Sequence, residues 1–224
     1  GIQIIIARRF GEGNHGRIGV IFQHGSIFVL ILGLILFSIL YIFSDHLLLW
    51  LIDSPNIYDA SLEYIKYRQF GIIFVCFNFL YRALYVGISN TKVITYSTII
   101  MAVVNIFLDY CLIFGNFGFP EMGIGGAALA SFCAEVSAFT FFTIYSYITL
   151  RNKDYGMFKL HRLESELMGR ILKLATPTMI QKLFSFSVWF IFFILIEKMG
   201  ETATGISSIV RSVYMILITP CFAF

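Results

Sequence analysis

This sequence of 224 residues is poor in charge: Asp, Glu, Lys and Arg make up 13% of it, against 58% hydrophobic residues, with a mean hydropathy of +0.84. So few polar groups cannot cover a water-facing surface, which excludes an ordinary soluble domain and places the chain in a lipid bilayer. Histidine and cysteine are equally sparse. His15, His24, His46 and His161 are scattered over different segments, and Cys76, Cys111, Cys133 and Cys221 sit inside apolar runs without CxxC spacing. The thiols therefore read as core side chains, and no zinc or disulfide framework is expected. HExxH, GxSxG and Walker A motifs are absent too. Without them an intramembrane enzyme is hard to build, and any transport must draw on an ion gradient. The net charge of +3 is small, and the basic residues lie in short loops, so no nucleic acid partner is expected.

What the chain has is apolar length. Residues 18–43, 70–89, 94–115, 124–150, 174–196 and 205–224 form hydrophobic runs, most of them long enough for a helix to cross about 30 Å of hydrocarbon. The expected fold class is an all-α integral membrane protein, a polytopic helix bundle. "GIQIIIARRFGEGN" at the start has only a few apolar residues before Arg8 and Arg9, and "ITPCFAF" at the close stops in mid-run without a cap or polar flank, so an internal piece of a longer polytopic chain is expected, the remainder of the same polypeptide being its partner.

The loops alternate in charge. Arg8, Arg9, Arg17, Lys92 and the stretch from Arg151 to Lys173 are basic, whereas residues 44–63, 116–122 and 197–203 carry Asp45, Asp53, Asp59, Glu63, Glu121, Glu197 and Glu201. Lys and Arg mark the cytoplasmic side, so the acidic loops are expected to face outward. Lys66, Arg68 and Lys198 are exceptions outnumbered by neighbouring acids.

Within "VVNIFLDYCLIFG", residues 103–115, Asp109 has no basic neighbour within a turn, and Asn105 stands four residues before it. An acid at this depth costs on the order of 3 kcal/mol and faces protein or water, not lipid. Positions i and i+4 share one helical face, so the pair suits a proton, a cation or a substrate donor; the alternative is a hydrogen-bonded structural pair. Asp109 falls about 8 Å short of the acidic end of its helix, at about 1.5 Å per residue.

Other polar residues interrupt the runs. Arg82 is expected to snorkel toward the basic end. Glu135 is a second acid, open to a proton relay or to a structural salt bridge. In "LATPTMIQKLF", Pro177 is expected to bend the helix, and Gln181 and Lys182 then suit a cavity wall. Arg211 lies in the last run. The small residues Gly123, Gly125, Gly126, Ala127, Ala128, Ala130 and Ser131 offer a smooth face for close helix packing and no ligand role.

Several stretches together resemble the multidrug and toxic compound extrusion (MATE) family: "ARRFGEGN" (Ala7 to Asn14), "YRALYVGISNTK" (Tyr81 to Lys92), "NIFLDYCLIFG" (Asn105 to Gly115) and "GNFGFPEMGIGGAALAS" (Gly115 to Ser131). The resemblance implies part of a twelve-helix, two-lobe transporter. Residues 1–150 would be most of the first lobe, from the end of helix two to helix six. Residues 151–173 would be the inter-lobe connector, and 174–224 the seventh helix with part of the eighth. It also implies a cation-coupled multidrug antiporter of the bacterial cytoplasmic membrane, exporting amphipathic, cationic small molecules by alternating access. Asn105 and Asp109 would carry the coupling H⁺ or Na⁺; no other cofactor or metal is implied. Where the family has an acid in the seventh helix, this chain offers Gln181, Lys182 and Ser185. Two rivals are a lipid-linked oligosaccharide or lipid flippase of the same superfamily, requiring Arg82, Lys182 and Arg211 to converge, and a non-transporting membrane scaffold.

Overall fold

The computed structural model describes residues 1–150, 155–157, 159 and 161–218, with the side chains of Glu197 and Glu201 left undescribed. Arg151, Lys153 and Cys221 fall outside the described residues. Every regular element among the described residues is helical: α1 (Ile2–Gly11), α2 (Gly16–Leu51), α3 (Pro55–Arg68), α4 (Ile72–Gly87), α5 (Lys92–Phe114), α6 (Gly123–Leu150), α7 (Ser165–Glu197) and α8 (Glu201–Ile218). Lipid offers the backbone no partners, so the chain satisfies its own N–H and C=O groups within helices.

Five stretches are long and apolar enough to cross a membrane, namely Gly16–Leu51, Pro55–Gly87, Lys92–Phe114, Gly123–Leu150 and Ser165–Ile196; Thr202–Ile218 is a shorter apolar helix. The acidic loop expected at 44–63 is largely helix instead. α2 continues to Leu51, and the chain turns within three residues, where Ser54 caps α3 by accepting the Ile57 N–H and Pro55 opens its first turn. The Tyr58 hydroxyl then meets the Asp45 carboxylate across this turn. Charged residues near a span's end are helical as long as their heads reach water, which composition alone does not distinguish from a loop. α3 and α4 form one span joined by a single 3₁₀ turn, Gln69–Gly71.

α5 and α6 are antiparallel and tightly paired. Gly115, with φ of 68°, ends α5 in the left-handed conformation. A Cβ on Gly126 would lie 2.5 Å from the Leu112 carbonyl oxygen, so glycine there is what lets the two backbones approach. The small-residue face is thus used for packing.

The densest core lies at the basic end, where Ile6, Ile18, Leu84, Tyr85, Phe142 and Ile171 from five helices are buried. Phe142 is stacked between Tyr81 and Tyr85, at centroid distances of 5.3 and 5.8 Å. Tyr155, Gly156, His161 and Glu164 lie across this end against α2: the Gly19 N–H donates to the Tyr155 carbonyl at 2.8 Å, and Arg17 makes two bonds to Glu164 at 2.6 and 3.0 Å.

α7 runs without interruption across Pro177. The ring removes one backbone donor, and the hydroxyls of Thr176 and Thr178 on either side donate to the carbonyls of Leu172 and Leu174.

Candidate functional site

Two polar positions stand out in the bundle, at different depths. The first is Asp109. α5 turns its Val93, Ser97, Cys111 and Leu112 face into the bundle, and Asn105 and Asp109 sit half-buried at the margin of that face. The Asp109 Oδ1 is fully enclosed and has no hydrogen-bond partner, and among the described residues no hydrogen bond joins it to Asn105. The pair is therefore an open set of acceptors and one amide, not a closed structural pair.

The second position joins residues the sequence keeps apart. Glu135 on α6 accepts from Arg68 Nη2 at 3.3 Å and from Asn78 Nδ2 at 3.0 Å. The salt bridge is the structural alternative weighed for Glu135, and its partner is an arginine that the sequence pattern assigns to a loop. Beside it, α4, α5 and α6 border a partly open cavity of about 220 Å³ lined by Asn78, Arg82, Ser97 and Glu135 together with apolar side chains. Arg82 is half-buried beside this cavity and donates to the exposed Thr98 hydroxyl at 3.5 Å. Sequence reasoning missed Asn78 and Ser97. Asn78 carried a signal, an amide four residues from Arg82 on one helical face; Ser97 carried none, because serine is common in membrane helices.

The remaining candidates do not join either position. Gln181, Lys182 and Ser185 are exposed on α7, with the Ser185 hydroxyl donating to the Gln181 carbonyl at 3.0 Å. α7 borders an apolar cavity further along the helix, at Phe190, Phe193 and Ile194. None of Gln181, Lys182 and Ser185 lines the cavity at Arg82 or this apolar one. Arg211 on α8 sits 4.7 Å from the Phe193 ring centroid, a cation–π contact between α7 and α8. Arg82, Lys182 and Arg211 thus occupy three separate places and do not converge. The apolar cavity measures about 620 Å³ and lies between the acidic ends of α2 and α7, walled also by α3 residues Ile57, Ala60 and Tyr64.

Residues 1–111 match the family described as MatE. The chain belongs to the MATE family. A relative described as a probable multidrug resistance protein NorM, from Agrobacterium fabrum, is 31% identical over 160 residues, which is 70% of this chain and 34% of that protein. The probable multidrug resistance protein YoeA of Bacillus subtilis is 26% identical over 217 residues, 95% of this chain and 46% of the relative. Among solved structures, an inward-facing multidrug resistance transporter of the MATE family aligns with a TM-score of 0.86 and 21% identity, over 98% of this chain and 49% of its own. This MATE chain therefore spans half or less of the length of the relatives it matches. It shares the fold of the corresponding part of such a transporter, a multi-pass helix bundle.

Proposed function

We propose that this chain is part of a secondary antiporter that exports amphipathic, cationic compounds from the bacterial cytoplasm in exchange for H⁺ or Na⁺. Residues 1–150 then supply most of one lobe, 151–173 the connector and 174–224 the start of the second lobe. The observation that carries the reading is the enclosed, unpartnered Oδ1 of Asp109 deep in an apolar helix, with the Asn105 amide one turn away. An apolar setting favours a neutral carboxyl, so Asp109 can hold a proton in one state and face a cation in another. A ligand biases the two lobe arrangements by its differential affinity for them.

The 620 Å³ apolar cavity supports amphipathic cargo, since it has the size and lining of a small-molecule site. A flippase would require several basic residues facing one headgroup, and Arg82, Lys182 and Arg211 are dispersed. A scaffold would favour a dry, satisfied Asp109, and its oxygen has no partner.

The test is drug efflux with proton or sodium counterflow in vesicles carrying the whole protein, each gradient imposed alone. Asp109→Asn keeps volume and hydrogen bonding but cannot change charge, so antiport should be lost while insertion is unchanged. Wild-type antiport in Asp109→Asn would move coupling elsewhere, with Glu135 next in line.

A further inference from the structure

The cavity at the basic half of α4, α5 and α6 has no part in the coupling just described. Ser97 and Asp109 are twelve residues apart on α5, which at about 1.5 Å per residue is about 18 Å along the helix. Each helix contributes one face to the cavity: Asn78, Phe79 and Arg82 from α4, Ser97 from α5, and Glu135 and Phe142 from α6.

Three of the polar residues lining the cavity have hydrogen-bonding capacity that their partners do not use up. Ser97 is 1% exposed, and its hydroxyl has no partner. Asn78 is 6% exposed; its amide nitrogen is committed to Glu135, and its Oδ1 has no partner. Arg82 spends one N–H on the 3.5 Å bond to Thr98, and the Thr98 hydroxyl itself donates to the Ile94 carbonyl. Arg82 and Glu135 both line the cavity, and Glu135 is paired with a second guanidinium, that of Arg68. The cavity is therefore left with one uncompensated positive charge inside the membrane span, a costly arrangement until an anion or water meets it.

We propose that this cavity binds a small carboxylate, and that Arg82 and Ser97 hold its oxygens. A planar guanidinium matches the two oxygens of a carboxylate, which a halide cannot offer, the serine hydroxyl adds a donor, and one net positive charge suits a monoanion better than a divalent phosphate. Phe79 and Phe142 wall the site for a flat or apolar tail. At about 220 Å³ the space takes one benzoate-sized molecule, or several waters at about 30 Å³ each. The proposal is independent of antiport, because binding needs no gradient and no Asp109.

The experiment is calorimetric titration of the whole protein, purified in detergent, with sodium benzoate and with its neutral isostere benzamide. Saturable benzoate binding is expected in the wild type and in Asp109→Asn. It should weaken by about tenfold or more in Arg82→Gln, less in Arg82→Lys, and by several-fold in Ser97→Ala, the losses of one charged and one neutral hydrogen-bonding group. Benzamide should bind far more weakly. No benzoate binding by folded wild type, equal binding by Arg82→Gln, or equal affinity for benzamide would overturn the site and leave it a hydrated void. Thermal unfolding first establishes that each variant is folded; if Arg82→Gln is not, Ser97→Ala and the benzamide comparison decide.

Discussion

The Nε2 of His24 on α2 accepts the backbone N–H of Glu164 at 2.8 Å, across 140 residues of sequence. A backbone N–H can only donate, so Nε2 carries the lone pair, and Nδ1 carries the hydrogen that it donates to the Val20 carbonyl at 2.8 Å. The imidazole is fully buried. Around it Gln23 exchanges two bonds with the His161 backbone, at 2.9 and 2.8 Å, and Arg17 grips the Glu164 carboxylate. The segment before α7 is thus strapped to the first two turns of α2, and α7 begins from a fixed point.

Gly19 is what allows the strap to lie down. A Cβ there would stand 2.5 Å from the Tyr155 carbonyl oxygen and from Gly156 backbone atoms. Gly19→Ala should cost about 1–3 kcal/mol of local stability and speed tryptic cleavage after Lys159 and Arg162. Gly11→Ala, which meets nothing within 4 Å, is the control. Equal digestion rates for both would disprove the strap.

The Arg17 guanidinium bonded to Glu164 holds that carboxyl below the ordinary glutamate value of 4.5, with desolvation opposing it. A lowered folded value contributes stability above the unfolded value, and the contribution fades as pH falls through the folded one. The loss therefore falls below the ordinary carboxylate range. Glu164→Gln should flatten the acid side of the stability profile, measured by thermal unfolding from pH 7 to pH 3, and an unchanged slope would contradict the linkage. The pair is solvent-exposed, so the effect is small and salt-sensitive.

Tyr85 is completely buried, and its hydroxyl lies 2.8 Å from the Ser146 Oγ, tying α4 to α6 beside the stacked Phe142. Tyr85→Phe should cost about 1 kcal/mol in unfolding experiments in mixed micelles, the scale of one interhelical hydrogen bond. Adding Ser146→Ala should cost less than its effect alone, because the two groups share one bond. Strict additivity would show that the bond contributes nothing.

Asn105 supports the proposed coupling acid without changing charge. Asn105→Ala should leave antiport measurable but weaken coupling by about 1 kcal/mol, roughly fivefold in the ion concentration needed for half-maximal exchange. Counterflow assays at matched expression would read this, and complete loss of transport would assign Asn105 more than a supporting part.

Composition and hydropathy were enough to specify an all-helical membrane bundle, because an apolar run of some 20 residues has few alternatives once water is gone. Asp109 was likewise legible, since an acid among Ile, Phe and Leu stands out by its cost in lipid alone. Helix ends were less so: the 44–63 segment reads as a loop by charge, yet Asp45 and Asp59 are helical because their heads reach past the apolar band. Which polar groups meet was decided by tertiary structure only. Arg68 finds Glu135 across 67 residues and His24 finds Glu164 across 140, pairings no local spacing encodes. The cavity at Arg82 depends on three helix faces turning toward one point. Rotation of a helix about its axis is set by packing against its neighbours, here by glycine contacts such as Gly126 on Leu112, and a hydrophobic run seen alone leaves that rotation free.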